Sequence, residues 1–124
     1  MRQKENILKD KSITLAIEIV NLCKILNNEK KEYVLSKQLL RAGTSIGANV
    51  HEAQCAESPA DFVHKLSISQ KECNETDFWL ELLFRTQYIS EEQYKVLMAD
   101  VKYLINILSK SIITVKNKIN KNEK

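Results

Sequence analysis

Glycine, proline and aromatic residues are scarce in this sequence. Its 124 residues include two glycines, one proline and 6% aromatics, while 44% of the residues are hydrophobic. A β-sheet protein needs more turn residues and more aromatic or β-branched runs than this composition supplies. The composition therefore predicts an all-α protein, and the length predicts a single domain spanning residues 1–124.

Long apolar segments are also missing. The sequence has no run of about 18 uncharged apolar residues. Its amino-terminal segment, MRQKENILKDK, contains no apolar stretch of the length that a signal peptide requires. We therefore expect a cytoplasmic protein without a membrane partner.

The three cysteines do not indicate a metal or redox site. Cys23, Cys55 and Cys73 lack CxxC spacing, and an odd number of cysteines cannot form a complete set of disulfides. We expect free, buried thiols that pack as small hydrophobic residues. Because His51 and His64 are the only histidines, we predict no metal and no cofactor.

Sequence signatures of catalysis are absent as well. A di-iron helical bundle requires two Glu-x-x-His motifs, whereas the nearest approach here, Asp61-x-x-His64, occurs once. The chain has no Gly-x-Ser-x-Gly motif, and Gly43 and Gly47 lack the lysine and the spacing of a P-loop. The sequence thus predicts a non-enzymatic protein with no catalytic residues.

Apolar residues at spacings of three and four predict four amphipathic helices. The helices are expected at about 10–27, 33–56, 58–87 and from 90 onward. Ser58, Pro59 and Asp61 form a favourable helix start, and Ser90 with Gln93 forms a capping box. Short connections make consecutive helices antiparallel neighbours, so the predicted fold is an antiparallel up-down-up-down four-helix bundle.

Two glycines interrupt the second predicted helix. Gly43 and Gly47 each cost about 1 kcal/mol relative to alanine in a helix interior. Together with Ala42, Thr44 and Ala48 they form a patch with little side-chain volume. We expect another helix to pack closely against this patch.

The first and fourth helices carry more apolar residues than one core-facing stripe requires. The additional residues are Ile13, Ile17 and Val20 in the first helix and Ile105, Ile107 and Ile113 in the fourth. Large exposed apolar patches usually mark interfaces, so self-association is the favoured interpretation. A wide core seam with some exposed isoleucines is the alternative.

A polar stripe runs beside the core face of the second helix. Its members recur at spacings of three and four and share one helix face: Gln38, Arg41, Ser45, Asn49 and Glu52. Glu72 and Glu75 lie on one face of the third helix. One interpretation is a satisfied internal network in which Arg41 pairs with a carboxylate. The other is a functional groove that meets a ligand.

Positive charge is concentrated at the two ends of the chain. Residues 1–11 and 110–124 carry nine Lys or Arg against three Asp or Glu, although the whole chain has a net charge of only +3. The predicted bundle places both segments at one end, where they can bind phosphates without sequence readout. The candidate residues are Lys4, Lys9, Lys11, Lys110, Lys116, Lys118 and Lys121. A solvated tail that serves solubility is the alternative.

Several segments match the order and spacing of a known bacterial family. They are 35–41 (LSKQLLR), 45–53 (SIGANVHEA), Phe62, 65–68 (KLSI), Glu72, Glu75 and 79–82 (WLEL). They resemble four-helix-bundle proteins first noticed as reading frames inside intervening sequences of large-subunit ribosomal RNA genes. The resemblance spans essentially the whole chain, with Val50 and His51 as mild departures.

This resemblance implies a four-helix fold and a homo-oligomer, expected to be a pentameric ring. It extends to the accessory protein of diversity-generating retroelements, which works with nucleic acid and a reverse transcriptase. With the basic ends, it leads to the hypothesis of a nucleic-acid-associated oligomer whose partners are RNA or DNA and a reverse transcriptase. The competing hypothesis is a protein-interaction scaffold that presents the polar face of helices two and three without contacting nucleic acid.

Overall fold

The computed structural model describes the backbone of residues 2–122 and the side chains of residues 6–122. It contains four α-helices: α1 (Arg2–Asn28), α2 (Leu35–Gln54), α3 (Pro59–Arg85) and α4 (Glu91–Asn122). α1 and α3 each pack against both α2 and α4, and neither diagonal pair of helices packs together within this described range. The fold is the predicted all-α, antiparallel four-helix bundle.

Both predicted helix starts are confirmed. The hydroxyl of Ser58 accepts the backbone N–H of Asp61 at 3.0 Å. At the start of α4, the Ser90 hydroxyl accepts the N–H of Gln93 at 3.1 Å, and the Gln93 side chain accepts the N–H of Ser90 at 2.8 Å. These bonds satisfy amides that have no partner inside the helix, and so they fix where α3 and α4 begin.

The predicted start of α1, near residue 10, is wrong. The helix begins at Arg2, and Leu8 extends its core stripe with only 1% of its surface exposed. Ser12 is also buried, at 2% exposure. Because this core position holds a polar residue, the apolar pattern of the sequence does not reveal the first turns of α1. All other helix ends lie within two residues of their predicted positions, the usual uncertainty of helix termini.

α2 begins with a cap that was not predicted from the sequence. The buried carboxylate of Glu32 accepts the backbone N–H groups of Val34, Leu35 and Ser36 at 2.9–3.0 Å. A negative charge at this position also complements the positive end of the helix dipole. Glu32 therefore fixes the connection between α1 and α2.

The glycine patch on α2 receives α1, which confirms the predicted close packing. A Cβ at Gly43 would overlap the Cδ1 of Ile19 and lie 3.1 Å from its Cγ2. A Cβ at Gly47 would lie 3.4 Å from two oxygens of Ser12, which is an ordinary contact. A methyl group at Gly43 would thus force the buried Ile19 side chain to move, whereas Gly47 leaves room for one.

The three cysteines are free, but one prediction about them is wrong. Cys23 and Cys73 are buried, and burial raises their pKa to about 11 and about 12, respectively. Cys55 is exposed because it follows the last residue of α2, where the chain leaves the core.

No helix in the described part of the chain has the length and apolar character needed to cross a bilayer.

Candidate functional site

Arg41 joins α2 to α3 through two ion pairs. Its Nη1 lies 3.1 Å from Oε2 of Glu72, and its Nη2 contacts Oε2 of Glu75. The predicted pairing with a helix-three carboxylate is therefore confirmed. The predicted internal location is wrong, because the Arg41 side chain is 50% exposed at the solvent edge of α2. Ion pairs this exposed contribute roughly 0.2–1 kcal/mol to stability.

Two aromatic residues extend this ion-pair cluster along α3. The indole Nε1 of Trp79 donates a hydrogen bond to Oε2 of Glu75 at 3.2 Å. The Phe78 ring packs edge-on against Trp79, with 4.9 Å between ring centroids, and Phe78 is 56% exposed. Phe78 was not among the predicted site residues, although an aromatic residue outside the apolar stripe of α3 is a signal that the sequence contains.

The other members of the predicted polar stripe do not join the ion-pair cluster. Ser45 donates to the backbone carbonyl of Arg41 at 2.7 Å, and Asn49 donates to that of Ser45 at 2.8 Å. Both side chains therefore bond to their own helix. Gln38 and Glu52 are exposed, and Glu52 lines the groove between α1 and α2. The seven predicted polar residues therefore do not form one site.

The start of α1, the α2–α3 connection and the end of α4 lie at one end of the bundle, called here the basic end. The candidate lysines with described side chains are all exposed: Lys9, Lys11, Lys110, Lys116, Lys118 and Lys121. The side chain of Lys4 lies outside the described residues. Lys118 lines a cavity of about 530 Å³ with Pro59 and Phe62, beside the α2–α3 connection.

The lysines surround the basic end rather than forming one flat patch. Lys9 lines the groove between α1 and α2. Lys11 lies on the other side of α1, where its Nζ is 5.5 Å from the centroid of the Tyr103 ring. This ammonium group already has a favourable cation–π interaction with the ring. Lys11 is therefore less available to an external phosphate than Lys9.

The additional isoleucines divide between the core and the surface. Ile105 and Ile107 pack partly buried against the core, as the wide-seam interpretation predicts. Ile13, Ile17 and Ile113 are each more than half exposed. Ile13 borders an open groove of about 650 Å³ whose other wall is the small-residue face of α2. This surface, called here the α1–α2 groove, remains available to a partner.

Potential metal ligands are not clustered in the part of the chain that the structure describes. Among the described side chains, no three His, Cys, Asp or Glu residues lie in an arrangement that could hold a metal ion. Chemically, the surface offers exposed ammonium groups, a half-exposed guanidinium and apolar grooves. These groups suit binding of anions and of protein surfaces.

The geometry defines the class of the protein as an antiparallel four-helix bundle. The chain belongs to the family of 23S rRNA-intervening sequence proteins, whose family model matches residues 4–110. This membership confirms the resemblance noted in the sequence. The kinship with the retroelement accessory protein stays a prediction.

A solved structure supports the same assignment. The chain is similar to a protein of unknown function from the S23 ribosomal protein family of Bacteroides thetaiotaomicron, with 55% sequence identity and a TM-score of 0.87. The match covers 88% of this chain and 97% of that chain. The comparison with curated proteins found no match.

Proposed function

We propose that this protein is a non-enzymatic, cytoplasmic homo-oligomer that binds the backbone of RNA or DNA through its basic end. The observation that carries the proposal is the exposure of every described candidate lysine at that end. Lysine binds phosphate as a mobile point charge, which suits contact without sequence readout. The family takes its name from intervening sequences of 23S rRNA, so RNA is a natural ligand to test first.

Self-association would multiply this charge. Ile13, which borders the α1–α2 groove, is 56% exposed, and Ile17, one turn further along α1, is 55% exposed. Such apolar surface favours an interface between copies. A closed ring, of which a pentamer is the expected form, would bring several basic ends onto one assembly. Sedimentation analysis should find an oligomer, and Ile13→Asp with Ile17→Asp should give a folded monomer. A wild-type monomer at high concentration would contradict the oligomeric part of the proposal.

Salt-dependent binding tests the nucleic-acid part. Affinity for an RNA hairpin and for duplex DNA should fall steeply with salt, because each neutralised phosphate releases condensed counterions. Substituting Lys116, Lys118 and Lys121 with glutamine should lower the slope of log K against log salt by about 3 on duplex DNA. These residues are exposed, so the variant should unfold at nearly the wild-type temperature.

A matched variant separates this site from a general effect of charge. Lys24, Lys30 and Lys37 are exposed towards the opposite end of the bundle. Replacing these three with glutamine removes the same net charge and should leave most of the affinity intact. Equal losses in the two triple variants, or no binding by the wild type at low salt, would rule out the basic end as a binding site.

A protein-interaction scaffold is the second candidate function. The observation that favours it is the half-exposed Arg41 beside Trp79 and the exposed Phe78, since arginine and aromatic residues are enriched at interface hot spots. A reverse transcriptase is the partner to test. Loss of its binding in Arg41→Ala and Glu52→Ala, with nucleic-acid affinity retained, would favour the scaffold. Unchanged binding in Arg41→Ala would count against it.

A further inference from the structure

α1 and α4 enclose a second groove, on the side of α1 away from α2. It has a volume of about 370 Å³ and is called here the α1–α4 groove. Its apolar lining comprises Leu22, Ile25, Val96 and Leu97. Ile25 is 40% exposed and Val96 is 55% exposed, so the groove presents apolar surface to solvent. Neither residue is needed to close the core.

Carboxylates border this apolar surface. Glu18 of α1 and Asp100 of α4 face each other, and Glu92 also lines the groove. Oε2 of Glu18 is buried and has no hydrogen-bond partner. Burial and the neighbouring Asp100 carboxyl raise the pKa of Glu18, whereas the charge of Lys11 opposes this effect. The lining of the groove thus includes the carboxyl groups of Glu18 and Glu92 and, among the described residues, no lysine or arginine.

We propose that the α1–α4 groove docks a cationic amphipathic helix from another protein. Apolar residues of that helix would cover Ile25 and Val96, and a Lys or Arg on its flank would reach Glu18 and Asp100. Binding of an amphipathic helix along an apolar groove is a recurrent mode of peptide recognition. The added cation would offset the charge of the carboxylates that line the groove, which a neutral peptide cannot do.

The occupant is assigned to another protein because the basic segment of a second copy has too little free apolar surface. The most basic helix end of this chain is that of α4, where Ile113 is the one described large apolar residue that is exposed. Val115 is 7% exposed and Ile119 packs against the core of its own bundle. A neighbouring copy could therefore offer lysines to the groove without the apolar face that would cover Ile25 and Val96.

Fluorescence anisotropy with a labelled synthetic helix tests the proposal. The probe is a peptide of about five helical turns with leucines on one face and lysines and arginines on the other. Glu18→Gln with Asp100→Asn should weaken its binding about tenfold. Val96→Ser removes exposed apolar surface without changing charge and should weaken it about fivefold. Since Val96 is exposed, this variant is expected to fold.

Matched substitutions in the connection between α1 and α2 provide the control. Glu29→Gln removes one exposed carboxylate there, and Val34→Ser removes one exposed valine. Both should bind the peptide within roughly twofold of the wild type. A peptide whose lysines and arginines are replaced by glutamine should not bind the wild type.

Three outcomes would overturn the proposal. The first is no binding of the cationic peptide at low salt, and the second is equal weakening by the groove variants and the control variants. The third is dissociation of an oligomer by the peptide in sedimentation experiments, which would assign the groove to a contact between copies. The proposal does not rest on nucleic-acid binding, and Val96→Ser should leave the affinity for RNA and DNA unchanged.

Discussion

The same substitution, glycine to alanine, should have opposite effects at two positions one turn apart on α2. Each substitution gains about 1 kcal/mol of helix propensity. At Gly47 the new methyl group would make only ordinary contacts with Ser12, at 3.4 Å. Most of the propensity gain should therefore remain, and Gly47→Ala is expected to stabilise the protein by about 0.5–1 kcal/mol.

At Gly43 the methyl group would overlap the end of Ile19, whose side chain is fully buried. Carbon atoms in contact prefer about 3.5–4.0 Å, so Ile19 must move within a packed core. Overpacking of this kind costs about 1–3 kcal/mol. This exceeds the propensity gain, and Gly43→Ala should destabilise the protein by about 1 kcal/mol. The two variants should differ by about 2 kcal/mol, or roughly 6–10 °C in Tm.

Urea denaturation of both variants, and of a double-mutant cycle with Ile19→Val, measures these effects. Valine lacks the Cδ1 atom that the new methyl group would overlap, so Ile19→Val should be nearly neutral in the Gly43→Ala background. In the wild-type background it should cost about 0.5–1.5 kcal/mol. A Gly43→Ala protein as stable as Gly47→Ala, or additive effects in the cycle, would refute the close approach of α1 to Gly43.

Three further predictions concern single side chains. Glu32→Ala should lower the free energy of unfolding by about 2–3 kcal/mol in urea denaturation, because three amides at the start of α2 lose their acceptor. Because the pKa of Glu18 is raised, its charged form destabilises the folded state. Glu18→Gln should therefore stabilise the protein at neutral pH, and this gain should shrink as the pH falls towards 4.5, because the wild-type carboxyl then becomes protonated. In native protein only Cys55 should react quickly with a thiol reagent, since the other two thiols are buried and have raised pKa values.

Each of these predictions has a clear contrary result. A Glu32→Ala protein within about 0.5 kcal/mol of the wild type would mean that water replaces the carboxylate without loss. A constant difference in stability between Glu18→Gln and the wild type from pH 4 to pH 8 would contradict a raised pKa of Glu18 beside Asp100. Rapid reaction of all three thiols would show that α1 and α3, which carry the two buried cysteines, open readily.

Most of the fold could be predicted because the boundaries of the later helices are encoded locally. Ser58 and Ser90 form their caps with residues three positions along the chain, a distance that sequence spacing reveals. The start of α1 is different, since its buried residues are Leu8 and the polar Ser12. Only the packing of α2 and α4 around them makes that segment a core helix.

The candidate sites could be predicted only in part. Helical spacing placed Arg41 on one face of α2 and Glu72 and Glu75 on one face of α3, which suggested that they pair. It could not decide whether Arg41 is exposed, because the polar stripe of α2 lies at the boundary between core and solvent. The acidic pair of Glu18 and Asp100 depends on the register between α1 and α4, two helices far apart in sequence. No local pattern specifies that register.

The basic end has a consequence for how this protein can change over time. Beyond Val115, nearly every side chain of α4 is exposed, so lysines there can be gained or lost with little effect on folding. Affinity for an anionic partner can therefore drift, or be tuned by selection, while thermostability stays constant. The opposite holds for α2, where a change at Gly43 must be matched by one at Ile19. Related chains should accordingly differ freely in the charge of this terminal segment and covary at the contact between α1 and α2.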